Sequence, residues 1–139
     1  MGWNPYHLDK CALKVVLAAR DRDGDSLIQA YKMRATCAYG LERFWGEYLR
    51  LAETERNKAD FLKDVWCEFV EIMALGNIVI PKKMASKEEA EDAIQQVADA
   101  LWSLPTRHQQ ASLAVLINFC DAVVWWTQRL KKLSQRDSL

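Results

Sequence analysis

The sequence predicts an all-α protein, a single domain over residues 1–139 that folds as an antiparallel bundle of about five helices. Half of the 139 residues are hydrophobic and six are Trp, which supplies enough apolar material for one core. Apolar residues recur at helical spacing in five segments, and the one extended stretch, residues 78–81, has no partner strand. Short connections between these segments favour antiparallel neighbours.

The first two helices follow from apolar spacing on either side of a polar break. The first covers residues 5–19, because Pro5 suits a first helical turn and the residues after it keep a helical period. The second is a long helix over residues 27–53. It contains Gly40 and Gly46, each of which weakens a helix by about 1 kcal/mol.

Three further helices complete the predicted bundle. The third covers residues 58–75, carries a wide apolar stripe and ends at Gly76, a typical C-terminal cap. The fourth covers residues 87–103, and the fifth is a long helix over residues 106–133. Capping boxes, in which Ser or Thr precedes Gln or Glu by three residues, are predicted at residues 26–29, 86–89 and 106–109.

The sequence predicts no membrane span and no signal peptide. The longest apolar stretch, residues 113–126, is shorter than the ~20 residues of a spanning helix and is interrupted by Asn118 and Asp121. The four cysteines form no CxxC pair, and scattered cysteines of this kind are usually small core hydrophobes in cytosolic proteins. We therefore expect a cytoplasmic protein.

Motifs for nucleotide binding, hydrolysis and metal chelation are missing from the sequence. With His7 and His108 as the two histidines, a nucleophile–histidine pair has few options. His7 and Cys11 have helical i, i+4 spacing and admit a zinc interpretation, but a structural zinc site needs four ligands. We expect no enzyme activity, no cofactor, no metal and no small-molecule substrate.

Charge is balanced in total and uneven along the chain, with 19 positive and 19 negative side chains. Residues 54–80 and residues 81–103 each carry three positive and five negative groups. Residues 104–139 carry five positive and two negative groups. The middle helices are therefore acidic and the C-terminal end is basic.

One side of the second predicted helix combines cations with hydroxyl donors, if each residue advances by roughly 100°. These residues, the basic stripe, are Lys32, Thr36, Tyr39, Arg43 and Arg50. Such a stripe suits contact with the phosphates of a nucleic-acid strand without base reading. An ordinary solvated face is an equally good interpretation, and Glu47 at its edge weakens the positive field. The second choice for phosphate contact is the set Arg107, Arg129 and Lys132 on the fifth helix.

Two residues are candidates for an interface. Arg34 projects from an otherwise apolar side of the second helix, so it needs an acidic partner on another helix or a place at an interface. Trp125 projects into the polar arc of the fifth helix, a composition that suits a protein interface or a stacking platform for single-stranded nucleic acid. Alternatively, another helix covers this arc and Trp125 belongs to the core.

In size, five-helix architecture, lack of an active site and uneven charge, the chain resembles the small subunits of Cascade-type CRISPR effector complexes, subtype I-D among them. The resemblance covers nearly the full chain and is architectural, because that family has no sharp motif. It implies a non-catalytic subunit that contacts other effector subunits, further copies of itself, and the backbone of guide RNA or target DNA. A helical adaptor or regulatory subunit without a nucleic-acid role is the alternative.

Overall fold

The computed structural model describes the backbone of residues 5–82, 84 and 91–137, and the side chains of residues 7–82, 84 and 91–131. Within these ranges the chain is all-α, which confirms the predicted fold class. Two short 3-10 helices, η1 and η2, flank the second α-helix. The elements in chain order are α1 Pro5–Arg22, η1 Gly24–Ile28, α2 Gln29–Thr36, η2 Cys37–Tyr39, α3 Leu41–Thr54, α4 Arg56–Leu75, α5 Glu91–Trp102 and α6 Thr106–Asp137.

The prediction of one continuous helix over residues 27–53 is wrong, because the chain breaks at Gly40. This glycine has φ +104° and ψ 170°, a backbone conformation that is essentially restricted to glycine. The break separates α2 and η2 from α3. Residues before and after Gly40 therefore do not follow one helical period, and the described part of the chain has six α-helices where about five were predicted.

The predicted capping boxes differ from the observed hydrogen bonds. The Ser26 hydroxyl donates to the carbonyl of Asp23 at 2.7 Å, within the turn that leads into η1. The Gln109 side-chain amide donates to the carbonyl of Leu104 at 2.7 Å, so it closes the end of the preceding helix instead of starting its own. The box predicted at residues 86–89 lies outside the described residues.

The core is built around α4, whose predicted apolar stripe is buried. The Trp66 ring lies 6.0 Å from the ring of Phe44 on α3 and 5.3 Å from that of Phe69, measured between centroids. Its indole N–H donates to the carbonyl of Pro81 at 2.9 Å, which fastens the segment after α4 to this helix. Since Phe44 and Trp66 stand at equal distances along the chain from Glu55, α3 and α4 form an antiparallel hairpin.

Ion pairs show that α1 also runs antiparallel to α4. The Lys14 ammonium lies 2.6 Å from the Glu68 carboxylate, and Arg22, two turns later on α1, pairs with Asp64, one turn earlier on α4. The antiparallel arrangement predicted from short connections is therefore present in both of these helix pairs.

The last helix, α6, packs against α1, α2 and α4. Within the described chain, its segment Thr106–Lys131 is long and apolar enough to cross a membrane by length and composition, with a mean hydropathy of 1.2. This differs from the expectation that no segment qualifies. Length and composition alone do not assign α6 to a membrane, because the core helix of a soluble protein can have the same length and composition.

We predict opposite effects for alanine at the two glycines of the predicted second helix. Gly40→Ala should lower the free energy of unfolding by about 1–3 kcal/mol, because a side chain is strained at this φ. Its Cβ would also lie 3.1 Å from a carboxylate oxygen of Glu42. Gly46→Ala should raise the free energy of unfolding by roughly 0.5–1 kcal/mol, since Gly46 is inside α3 and nothing lies within 4 Å of an added Cβ.

Urea unfolding followed by circular dichroism measures both values. Stabilisation by both substitutions would mean that the helix continues through Gly40.

Candidate functional site

The basic stripe does not form a single helical face. Lys32 and Thr36 lie on α2, Tyr39 lies in η2, and Arg43 and Arg50 lie on α3, beyond the break at Gly40. The predicted alignment of these residues requires an unbroken helix, so this prediction is wrong. The five residues therefore do not make the regular line of donors that was predicted.

Two members of the basic stripe already bond within the protein. The Thr36 hydroxyl donates to the carbonyl of Lys32 at 2.7 Å, as Ser and Thr often do inside helices. The Arg50 guanidinium donates to the Glu47 carboxylate at 2.5 Å. Lys32, Tyr39 and Arg43 have exposed side chains. Glu47, expected to weaken the field, thus neutralises one of the three cations directly.

The second set of predicted phosphate contacts is spread along α6. Arg107 is exposed in the first turn, and Arg129 is exposed near the other end. At 1.5 Å per residue they lie roughly 33 Å apart, so one phosphate group cannot bind both. The side chain of Lys132 lies outside the described residues.

Arg34 has the acidic partner that the sequence required. Its Nε donates to Oδ1 of Asp121 on α6 at 2.5 Å, and this hydrogen bond raises the pKa of the guanidinium. The Arg34 side chain is 39% exposed and that of Asp121 57%, so the pair lies at the surface and not in the core. The structure thus shows pairing with another helix, whereas the apolar side predicted for Arg34 required an unbroken helix over residues 27–53 and is wrong. An exposed pair of this kind contributes only about 0–1 kcal/mol to stability.

Trp125 is exposed over 47% of its surface, which contradicts the interpretation that another helix covers it. Its ring is nevertheless held on two sides. Trp126 meets it edge-on, with 4.7 Å between centroids and 82° between planes. The Arg129 guanidinium lies over the ring at 3.9 Å from the centroid, within cation–π range, and also donates to the Trp125 carbonyl at 3.3 Å.

Two pairs that are neighbours along α6 make up what we call the Trp125 cluster: Arg34 with Asp121, and Trp125 with Arg129. Asp121, Trp125 and Arg129 are spaced by four residues on α6, which places them in a row along one side of the helix. Arg34 joins the row from α2. The sequence indicated Arg34 and Trp125 separately, but no sequence pattern showed that Arg34 pairs with Asp121, one turn before Trp125 on α6.

The exposed side of α6 continues from the Trp125 cluster towards the start of the helix. Asn118, Ala114 and Gln110 are all exposed there. A large aromatic side chain therefore lies on the same side of α6 as a row of exposed, uncharged residues. This composition resembles a protein contact area, in which one aromatic anchor is surrounded by polar and small residues.

The zinc interpretation of His7 and Cys11 gains one contact and no further ligands. His7 Nε2 lies 3.7 Å from the Cys11 sulfur. Burial, with the nearby Glu68 carboxylate, raises the pKa of this thiol to about 11, which disfavours the thiolate that zinc requires. In the described residues no three His, Cys, Asp or Glu side chains are grouped for a metal ion.

Comparisons with protein-family models, with curated proteins and with solved structures found no match. Function is therefore inferred from the residues of this chain and their contacts.

We predict that Trp125 contributes little to folding. Trp125→Ala should lower the free energy of unfolding by about 1 kcal/mol, the amount expected for loss of the contact with Trp126. Trp66→Ala, a matched change of the same residue type in the core, should lower it by about 3–5 kcal/mol. Chemical denaturation of both variants gives the comparison. If Trp125→Ala is as destabilising as Trp66→Ala, Trp125 is a core residue.

Proposed function

We propose that this protein is a non-catalytic binding subunit that docks onto a partner protein through the Trp125 cluster. The observation that carries this proposal is a half-exposed Trp whose orientation is held by Trp126 and Arg129. Trp and Arg are enriched among the residues that dominate binding energy at protein interfaces. A ring that is already fixed in position loses little conformational entropy when a partner covers it.

Charge favours a protein over a nucleic acid as the occupant of this surface. The Arg34 guanidinium is bonded to Asp121, which neutralises both charges. The Arg129 guanidinium lies over one face of the Trp125 ring, so both cations of the cluster are already engaged within the protein. A partner with a small apolar pocket and a polar rim suits the Trp125 cluster better than a polyanion does.

A narrower form of the proposal is that the protein is the small subunit of a CRISPR effector complex. Its support is a single all-α unit of this size with an acidic middle and a basic end. The break at Gly40 removes the helical face assigned to the nucleic-acid strand. Within this assignment, contact with other effector subunits is therefore better supported than contact with RNA or DNA. A helical adaptor with no nucleic-acid role shares the same surface and the same support.

We predict that Trp125→Ala reduces co-purification of the native partner at least tenfold, the effect of losing ~1.4 kcal/mol at an interface. Trp102→Ala is the matched control, because Trp102 is also exposed, at the end of α5, but has no place in the Trp125 cluster. Tagged variants are purified from their native cells, and proteins and nucleic acids in the eluates are quantified.

Guide RNA together with effector subunits in the wild-type eluate supports the CRISPR assignment. A protein partner without RNA supports the adaptor. Equal recovery by the two variants contradicts a role for the Trp125 cluster.

The triple substitution of Lys32, Arg43 and Arg50 by Ala separates strand contact from protein contact. We predict unchanged partner recovery and an unchanged dependence of complex formation on salt. If the basic stripe binds single-stranded phosphates, the slope of log K against log salt should instead fall by ~0.7 per lost contact, or roughly 2 in total. Titrations of the purified complex with single-stranded nucleic acid, repeated across a range of salt concentrations, distinguish these outcomes.

A further inference from the structure

Cys37 and Cys120 meet in the interior where η2 passes α6. Both side chains are buried, with exposures of 0% and 1%. A hydrogen bond between them shifts the pKa of both thiols, and the Cys37 thiol donates to the carbonyl of Met33 at 3.4 Å. All four cysteines of the chain are free thiols, so these two form an unlinked pair.

The Arg34–Asp121 ion pair holds this crossing in register. Arg34 precedes Cys37 by one helical turn, and Asp121 directly follows Cys120. The ion pair and the thiol pair are thus successive contacts between the same two segments. A disulfide between the two cysteines requires Cα atoms about 4.4–6.8 Å apart, and η2 and α6 are in direct contact.

Cys37 differs from the other cysteines in its acidity. The hydrogen bond from Cys120 lowers the pKa of the Cys37 thiol, and the Arg34 guanidinium adds to this effect. The pKa values of the Cys11 and Cys67 thiols are raised, mainly by burial, and the pKa of Cys120 is raised by its hydrogen bond to Cys37 and by burial. Within this pair we assign Cys37 as the attacking thiol and Cys120 as the thiol that resolves the product.

Access to Cys37 requires the opening of only one short turn. The η2 helix has three residues, and 3-10 helices have weak hydrogen-bond geometry. Its other two residues, Ala38 and Tyr39, are exposed, and Gly40 follows directly. Local opening of such a segment costs far less than global unfolding, so a small oxidant can reach the sulfur without denaturing the core.

We propose that Cys37 and Cys120 are a redox-modification site that closes to an intramolecular disulfide when the protein meets a peroxide. The Cys37 thiolate attacks one oxygen of hydrogen peroxide, the O–O bond breaks, and the departing hydroxide takes up the thiol proton to form water. The Cys120 sulfur then attacks the sulfenic sulfur, the S–O bond breaks, and the hydroxyl leaves with the Cys120 proton as a second water. The two sulfurs together lose two electrons, which the peroxide accepts.

Treatment of the full chain with hydrogen peroxide tests the proposal. Free thiols, counted after denaturation, should fall from four to two per chain, and the intact mass should decrease by about 2 Da because two hydrogens leave. A tryptic digest should contain residues 35–43 linked to residues 108–129, and dithiothreitol should restore four thiols. A digest that links any other pair, or adds oxygen without a link, overturns the proposal.

Two single substitutions serve as matched controls. Cys67→Ala removes the half-buried cysteine of α4 and should leave the mass decrease intact. Cys120→Ala should abolish it and give an oxygen adduct on Cys37 instead. If the packing change at Cys120 unfolds the protein, the digest of the oxidised wild type still decides which sulfurs are joined. A 2 Da decrease that survives Cys120→Ala contradicts the assignment.

Discussion

The Trp66 side chain on α4 contacts both α3 and the segment that follows α4. Its ring packs between Phe44 on α3 and Phe69 on α4, and its N–H binds the carbonyl of Pro81 in the segment that follows. A buried indole without a partner for its N–H is costly, so the path of residues 78–82 is set by this bond as well as by the burial of Ile80. This ring is therefore a central one among the contacts that hold α3 beside α4, the pair on which α1 and α2 also pack.

The sequence predicted the α4 core well because one physical signal dominates there. Apolar residues at a period of 3.6 over five turns leave few other ways to bury them, and the structure buries Phe61, Trp66, Phe69 and Ile72 as expected. The fold class follows from the same signal, repeated along the chain.

The break at Gly40 was not visible in the sequence, because a glycine inside a helix and a glycine at a left-handed turn look alike in one chain. The cost of about 1 kcal/mol for an interior glycine permits either arrangement. Packing decides between them, and here α3 must turn to place Phe44 against Trp66. The predicted basic stripe depended on the wrong choice. Charge patterns drawn on a helical projection are therefore only as good as the assumption that the helix is continuous.

The candidate site, like the fold, could be predicted from the sequence only in part. Helical spacing on α6 was enough to place Trp125 on a polar arc. The partner predicted for Arg34 is present, although the helical projection that indicated it ran across the break at Gly40. The identity of that partner is a tertiary fact, since Asp121 lies 87 residues away along the chain. The stacking of Arg129 on Trp125 depends on rotamers that no sequence pattern specifies. A cation counted from sequence is thus available to a ligand only if the fold leaves it unbonded.

The order of the helices along the chain has a consequence for how the protein is made. The α3–α4 hairpin turns at the single residue Glu55, and its contacts are local, which favours rapid formation. The partners of α6, in contrast, are α1, α2 and α4, which all precede it by many residues. During synthesis the apolar sides of these earlier helices leave the ribosome before the helix that covers them. We therefore expect α6 to dock last, and the nascent bundle without it to be the state most exposed to aggregation and most dependent on chaperones.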